Sequence, residues 1–291
     1  MTLRHERHLV TGPERKELTM TTVRIIGPGR AGRSFASAFA AAGVEVRDIL
    51  GRADDVSSAA AGVDVLLLTV PDQAIAGVAS AVRPVPCTVV AHCSGALGLE
   101  VLAPHERVAA LHPLVTLPDP AIGAARLGSG GYFAVAGDQA VIDLVLELGG
   151  RTLVIPADSR AGYHAAACMA SNHLVALLGQ VQRVAASVGL PLEAFLPLAQ
   201  GALDDVSLIG PAAALTGPAA RGDVTTIERH RQALDPAELE GYDAGVALAR
   251  RLVTGEPAKV RETAQPPAGA GGCEPDAISD RVGTAGTGSW R

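Results

Sequence analysis

A short apolar run, Val23-Arg-Ile-Ile, leads directly into Gly27-Pro-Gly29-Arg30-Ala31-Gly32 and then into an alanine-rich stretch over 33–42. A strand that turns through G-x-G-x-x-G into a helix is the opening of a dinucleotide-binding β-α-β unit. Each glycine has its own task. Gly27 permits the tight turn, Gly29 lets the backbone approach a pyrophosphate with no Cβ in the way, and Gly32 lets the helix lie close on the strand. The helix start presents unpaired N–H groups and the positive end of the peptide dipole, which together favour an anion. Gly27, Gly29, Arg30, Ala31 and Gly32 are the first candidate cofactor contacts.

The chain continues the alternation that such a unit begins. Strands are expected at 23–26, 44–50, 63–70, 88–92, 108–111, 132–136 and 152–155, with helical stretches between them. The run VDVLLLTV (63–70) is almost continuously apolar, as a central strand covered on both faces should be. From Asp158 the pattern changes to some thirty residues of helix-compatible sequence without a proline, then two further helical patches near 192–201 and 236–253, with a Gly/Pro-rich loop over 210–223 between them. The expected class is α/β, an N-terminal doubly wound (Rossmann) parallel sheet followed by an all-α C-terminal domain. The boundaries are a disordered extension at 1–21, with Met20 as a second possible start, a nucleotide-binding domain at 22–157, a helical substrate and dimerisation domain at 158–254, and a disordered tail at 255–291.

Composition narrows the chemistry. A net charge of −6 with scattered basic residues argues against nucleic acid or an anionic membrane as partner, and no apolar run is long enough to span a bilayer. A cytoplasmic enzyme acting on a small molecule is the expectation. Cys87, Cys93, Cys168 and Cys273 lack C-x-x-C spacing, so neither a disulfide framework nor a zinc site is indicated and no metal is expected. Lysine occurs only at 16 and 259, which leaves the body of the chain without a lysine acid or Schiff base.

Ligands of an open parallel sheet bind outside the carboxyl ends of its strands. Strand two ends in Gly51-Arg52, where Arg52, 20 residues after Gly32, suits the 2′-phosphate of NADP(H); Asp54 or Asp55 serves NAD instead if the strand ends later. Strand three ends in Thr69-Val70-Pro71-Asp72, beside the adenosine end of such a cofactor. His92-Cys-Ser94 and His112-Pro113 close strands four and five, each histidine either a proton donor or a hydrogen-bonded structural group. On the long helix His164, Cys168 and Asn172 fall at i, i+4 and i+8 and so share a face, with Tyr163 and Ser171 nearby.

Taken with their order, IIGPGRAG (25–32), LLLTVPD (66–72), HCSGAL (92–97), LHPL (111–114), GYHAAACMASN (162–172) and LTGPAARGD (215–223) resemble the 6-phosphogluconate dehydrogenase-like reductases. This superfamily includes β-hydroxyacid dehydrogenases, pyrroline-carboxylate reductase and ketopantoate reductases; the resemblance is nearer to Rossmann-like proteins with a DUF2520 C-terminal domain. It implies NADP(H) in the first domain, a homodimer formed by the helical domain, and reduction of a carbonyl or imine in a cleft between them. The long helix of the hydroxyacid dehydrogenases carries K-x-x-x-N; Asn172 matches its asparagine, whereas Cys168 stands where its lysine would be. His112 or His164 then donates the proton, with Ser94 and Asn172 holding the substrate oxygen and Ser94 also a candidate cofactor contact. The leading expectation is an NADPH-dependent oxidoreductase reducing a small keto acid, ketopantoate first. A non-catalytic NADP-binding sensor or scaffold is the main alternative, and a methyltransferase is disfavoured by Gly51-Arg52.

Overall fold

The computed structural model describes residues 21–255. The expectations for the terminal segments lie outside that range, apart from their inner ends. The chain divides after Val154 into two compact units.

The first unit is built on seven strands: β1 (Thr22–Ile26), β2 (Glu45–Leu50), β3 (Val65–Leu68), β4 (Val89–His92), β5 (Val108–Pro113), β6 (Tyr132–Gly137) and β7 (Arg151–Val154). They form one sheet in the order β2-β1-β3-β4-β5-β6-β7. The order reverses at β1, so the switch point lies between β1 and β3, where open α/β sheets bind ligands. Helices α1 (Arg30–Ala41), α2 (Asp72–Ala81), α3 (Pro120–Leu127) and α4 (Ala140–Glu147) connect the strands.

Every residue of β3 and of β4 is buried, as a doubly covered strand requires. Alternation along β3 then sorts the core into two layers. Val65 and Leu67 pack with Phe35, Phe39, Leu111, Leu127 and Phe133 on one face. Leu66 and Leu68 pack with Ile26, Ile75, Ala79 and Leu102 on the other. Helix α1 turns Phe35, Ala38 and Phe39 inward from one stripe, with the two rings 5.5 Å apart.

One expectation is corrected. The sheet is not wholly parallel, because β6 runs antiparallel to β5, pairing Pro113 with Phe133 and His112 with Ala134. The β5–β6 connection contains helix α3 and therefore reads in sequence like an ordinary parallel crossover. Gly123 of α3 sits against Ser34 of α1, so α3 is held at that helix.

The second unit is helical: α5 (Arg160–Cys168), a π-helical turn (Met169–His173), α6 (Leu174–Ser187), α7 (Leu196–Ile209), α8 (Pro211–Ala214), α9 (Pro218–Arg221), α10 (Val224–Ala233) and α11 (Leu239–Thr254). The loop expected over 210–223 contains the two short helices α8 and α9. Each starts with a Gly of positive φ, Gly210 or Gly217, followed by a Pro at the first helical position. Helix α10 was not expected. Asp223 caps it, accepting from the Thr226 amide (3.0 Å) and hydroxyl (2.7 Å), and these bonds hold its carboxyl below the usual aspartate range. No single helix among the described residues is long and apolar enough to cross a membrane. The bent pair 157–187 and 192–209 passes together by length and composition.

Candidate functional site

The glycine turn has the form its sequence implies, and each glycine has a separate cause. Gly27 has φ +118°, and a Cβ there would lie 2.8 Å from the Thr69 carbonyl carbon. A Cβ on Gly32 would lie 2.0 Å from the Gly27 oxygen. Both glycines are required by the protein's own packing: the Gly27 amide bonds Leu50 O at 2.8 Å, and the Thr69 hydroxyl bonds Gly27 O at 2.8 Å. Gly29 differs. Its φ is −74° and a Cβ would meet nothing within 4 Å, so nothing in the fold itself demands glycine there. Gly29 is also the N-cap of α1, which has no side-chain cap and no acidic residue in its first turn. The first amides of that helix are thus left to an external acceptor.

The end of β2 lies beside this turn, since a Cβ on Gly51 would be 3.3 Å from the Pro28 ring. Arg52 is exposed there. The two carboxylates that would favour NAD are engaged within their own loop. Asp54 accepts from the Gly51 amide at 2.7 Å, and Asp55 accepts from the Ser57 amide and hydroxyl, bonds that lower its pKa. Val70 is half-buried at the end of β3, and exposed Pro71 is the N-cap of α2.

At the end of β4, His92 is wholly buried. Its Nε2 is 3.1 Å from Gly98 O, and its Nδ1 accepts from the Ser94 amide, so these partners assign the proton to Nε2. Both ring nitrogens are thus engaged by the protein in this structure. Ser94 is 4% exposed; its hydroxyl donates to Asp72 Oδ2 at 2.7 Å and accepts from the amides of Ala96 and Leu97. In this structure the hydroxyl braces the β4 loop against α2. Burial, with Asp72 nearby, pushes the Cys93 thiol up to about 12. His112 is half-buried on β5, one strand further along the sheet edge.

The second unit carries the remaining candidates. His164 and Cys168 do meet, with Nε2 and Sγ 3.5 Å apart. After Cys168 the helix passes into the π-turn Met169–His173, which carries Asn172. Asn172 is exposed and its amide oxygen accepts from the Ser171 hydroxyl at 2.8 Å, so the group it offers outward is its NH2. Burial pushes the Tyr163 hydroxyl up to about 12, against the opposing effect of Arg160, and keeps it a neutral donor at physiological pH. Among the described residues no cluster of three His, Cys, Asp or Glu side chains could hold a metal.

Two family models match parts of the chain. Residues 52–118 match a Rossmann-like domain, and residues 132–249 match DUF2520, a domain of unknown function. The chain therefore carries a Rossmann-like domain followed by a DUF2520 domain, and the latter match begins at β6, ahead of the division after Val154. No curated protein matches the chain. Its fold is shared with protein TM1727 from Thermotoga maritima (24% identity, 80% of this chain and 99% of that one, TM-score 0.63). A reductive aminase from Aspergillus terreus, solved with NADPH4, cyclohexanone and allyl amine, is similar over 82% of this chain and 95% of its own (16% identity, TM-score 0.60). Pyrroline carboxylate reductase from Plasmodium falciparum with NADP bound follows at 12% identity over 80% and 98%, with a TM-score of 0.54.

Proposed function

We propose that the chain is an NADP(H)-dependent reductase of a small carbonyl or imine compound. The observation that carries this reading is Gly29, a glycine with open space where a Cβ would stand, at the uncapped start of a helix and at the switch point of the sheet. A pyrophosphate suits that place on size and charge. The reductive aminase and the pyrroline carboxylate reductase, which share the fold, were solved with NADPH4 and NADP. When bound, NADPH supplies a hydride.

The chain's own groups do the rest. The first amides of α1 and the side of Arg30 hold the pyrophosphate, Val70 and Pro71 flank the adenosine end, and Arg52 takes the 2′-phosphate. Engagement of Asp54 and Asp55 within their loop favours NADP over NAD. His112, in the same unit as the glycine turn, is the first candidate to protonate the product oxygen or nitrogen, and His164 is the second. Asn172 offers its NH2 to the substrate oxygen. A small keto acid such as ketopantoate is the first substrate to assay and a cyclic imine the second. We place the protein in the cytoplasm, and as a homodimer, the latter because the helical unit leaves Leu198 73% and Leu208 81% exposed.

The test is to follow NADPH absorbance over a panel of keto acids and imines with the parent, His112→Ala, His164→Ala and the double variant. The acid's removal should lower turnover by about 10²–10⁴ while NADPH affinity stays near the parent's. Full activity in the double variant refutes both histidine roles. NADPH binding with no oxidation over the panel favours a cofactor sensor, a reading supported by the absence of lysine from the described residues.

A further inference from the structure

The second unit holds a thiol beside an imidazole. Cys168 Sγ lies 3.5 Å from His164 Nε2, both side chains are partly buried, and the contact is fixed by their i, i+4 spacing on α5. Directly after Cys168 the helix widens into the π-turn Met169–His173, a departure from α-geometry that recurs at functional sites. The turn also carries Asn172, whose oxygen is bonded to Ser171 and whose NH2 can face a ligand carbonyl. A nucleophile, a proton acceptor and a carbonyl-directed donor thus occupy nine consecutive residues.

We propose that Cys168 is a nucleophilic modification site for uncharged conjugated carbonyl compounds, with His164 as its base. Sulfur is a soft nucleophile that adds to the β-carbon of an enone or enal. The S–C bond forms as the alkene π pair moves toward the carbonyl oxygen, and the thiol proton passes to His164 Nε2. The imidazolium then returns that proton to the α-carbon, so the adduct is a neutral thioether and no oxidant or reductant takes part. Two other cysteines provide internal standards: Cys87 is exposed, while Cys93 is partly buried, with its thiol pushed up and held protonated.

The test is labelling of the native full-length protein with N-ethylmaleimide, with each cysteine read separately by mass spectrometry. Cys168 should react about 10-fold faster than Cys87, with a normal solvent deuterium isotope effect, and Cys93 should stay unlabelled until the protein is denatured. His164→Gln, checked for an unchanged far-ultraviolet circular dichroism spectrum, should lower the Cys168 rate to that of Cys87 or below. A Cys168 rate at or below that of Cys87 in the parent overturns the proposal. So does a fast rate that shows no isotope effect, a measurement on the parent that stands even where the variant does not fold, and so does a fast rate that survives His164→Gln.

Discussion

The two units treat their apolar side chains in opposite ways. In the first, Phe35, Phe39, Phe133, Leu66, Leu67, Leu68 and Leu111 are all at 0% exposure. In the second, the helices bury only Arg160, Ala185 and Ile227, and Val175, Val188, Leu198 and Leu208 stand 68–81% exposed. A sheet with helices on both faces closes its core within one chain. Helices α6 and α7 have the composition of buried helices without the burial, which is the surface expected where a second chain completes the fold.

Four variants sharpen or break that contrast. Phe133→Ala empties a ring site in a closed core and should cost about 3–5 kcal/mol in urea unfolding. A loss no larger than that of a surface change would show that the first unit is not self-sufficient. Leu198→Asp with Leu208→Asp should weaken the proposed self-association by about 2–4 kcal/mol, read by sedimentation as a shift from the proposed homodimer to monomer. An unchanged sedimentation coefficient would remove the interface from those helices. Arg52→Ala should reduce NADPH affinity by about 1.5–3 kcal/mol and leave NADH affinity alone, as seen by titration.

The smallest effect concerns acid. Arg107 donates to both oxygens of Asp138 at 2.9 Å and also to Cys87 O. Burial raises the Asp138 pKa, but the Arg107 and Ala140 bonds outweigh it and the net direction is down. Stability from this pair is therefore present at neutral pH, above the ordinary aspartate value, and is lost as pH falls through the lowered folded value. Solvent screening limits it to about 1 kcal/mol. Arg107→Ala should flatten the acid side of the stability profile by that amount, and an unaltered profile would assign the acid loss elsewhere.

How much of this was legible in the sequence follows from what each feature depends on. All seven strands were readable from apolar residues set between turn residues, even in β2 (EVRDIL) with its three charges, and the glycine turn was readable from its G-x-G-x-x-G spacing between strand and helix. The direction of β6 was not, since α3 in its connection mimics a parallel crossover. Helix α10 (VTTIERHRQA) was missed because β-branched and charged residues hide its period; only the Asp223 cap marks it. The brace from Ser94 to Asp72 joins residues 22 apart in sequence and could not be seen in the motif H-C-S-G. The π-turn was hidden for a similar reason, because the i, i+4, i+8 reading presupposes an unbroken α-helix.

The account rests on the claim that the start of α1 is kept open for a phosphate, and Gly29→Asp tests it most directly. A Cβ at 29 meets nothing, and an aspartate at an N-cap favours the helix, so stability should be unchanged or higher. The new carboxylate occupies and repels the anion site. Calorimetry should show saturable NADPH binding to the parent and none to the stable variant. Equal binding by both, or none by the parent at millimolar NADPH, would contradict it.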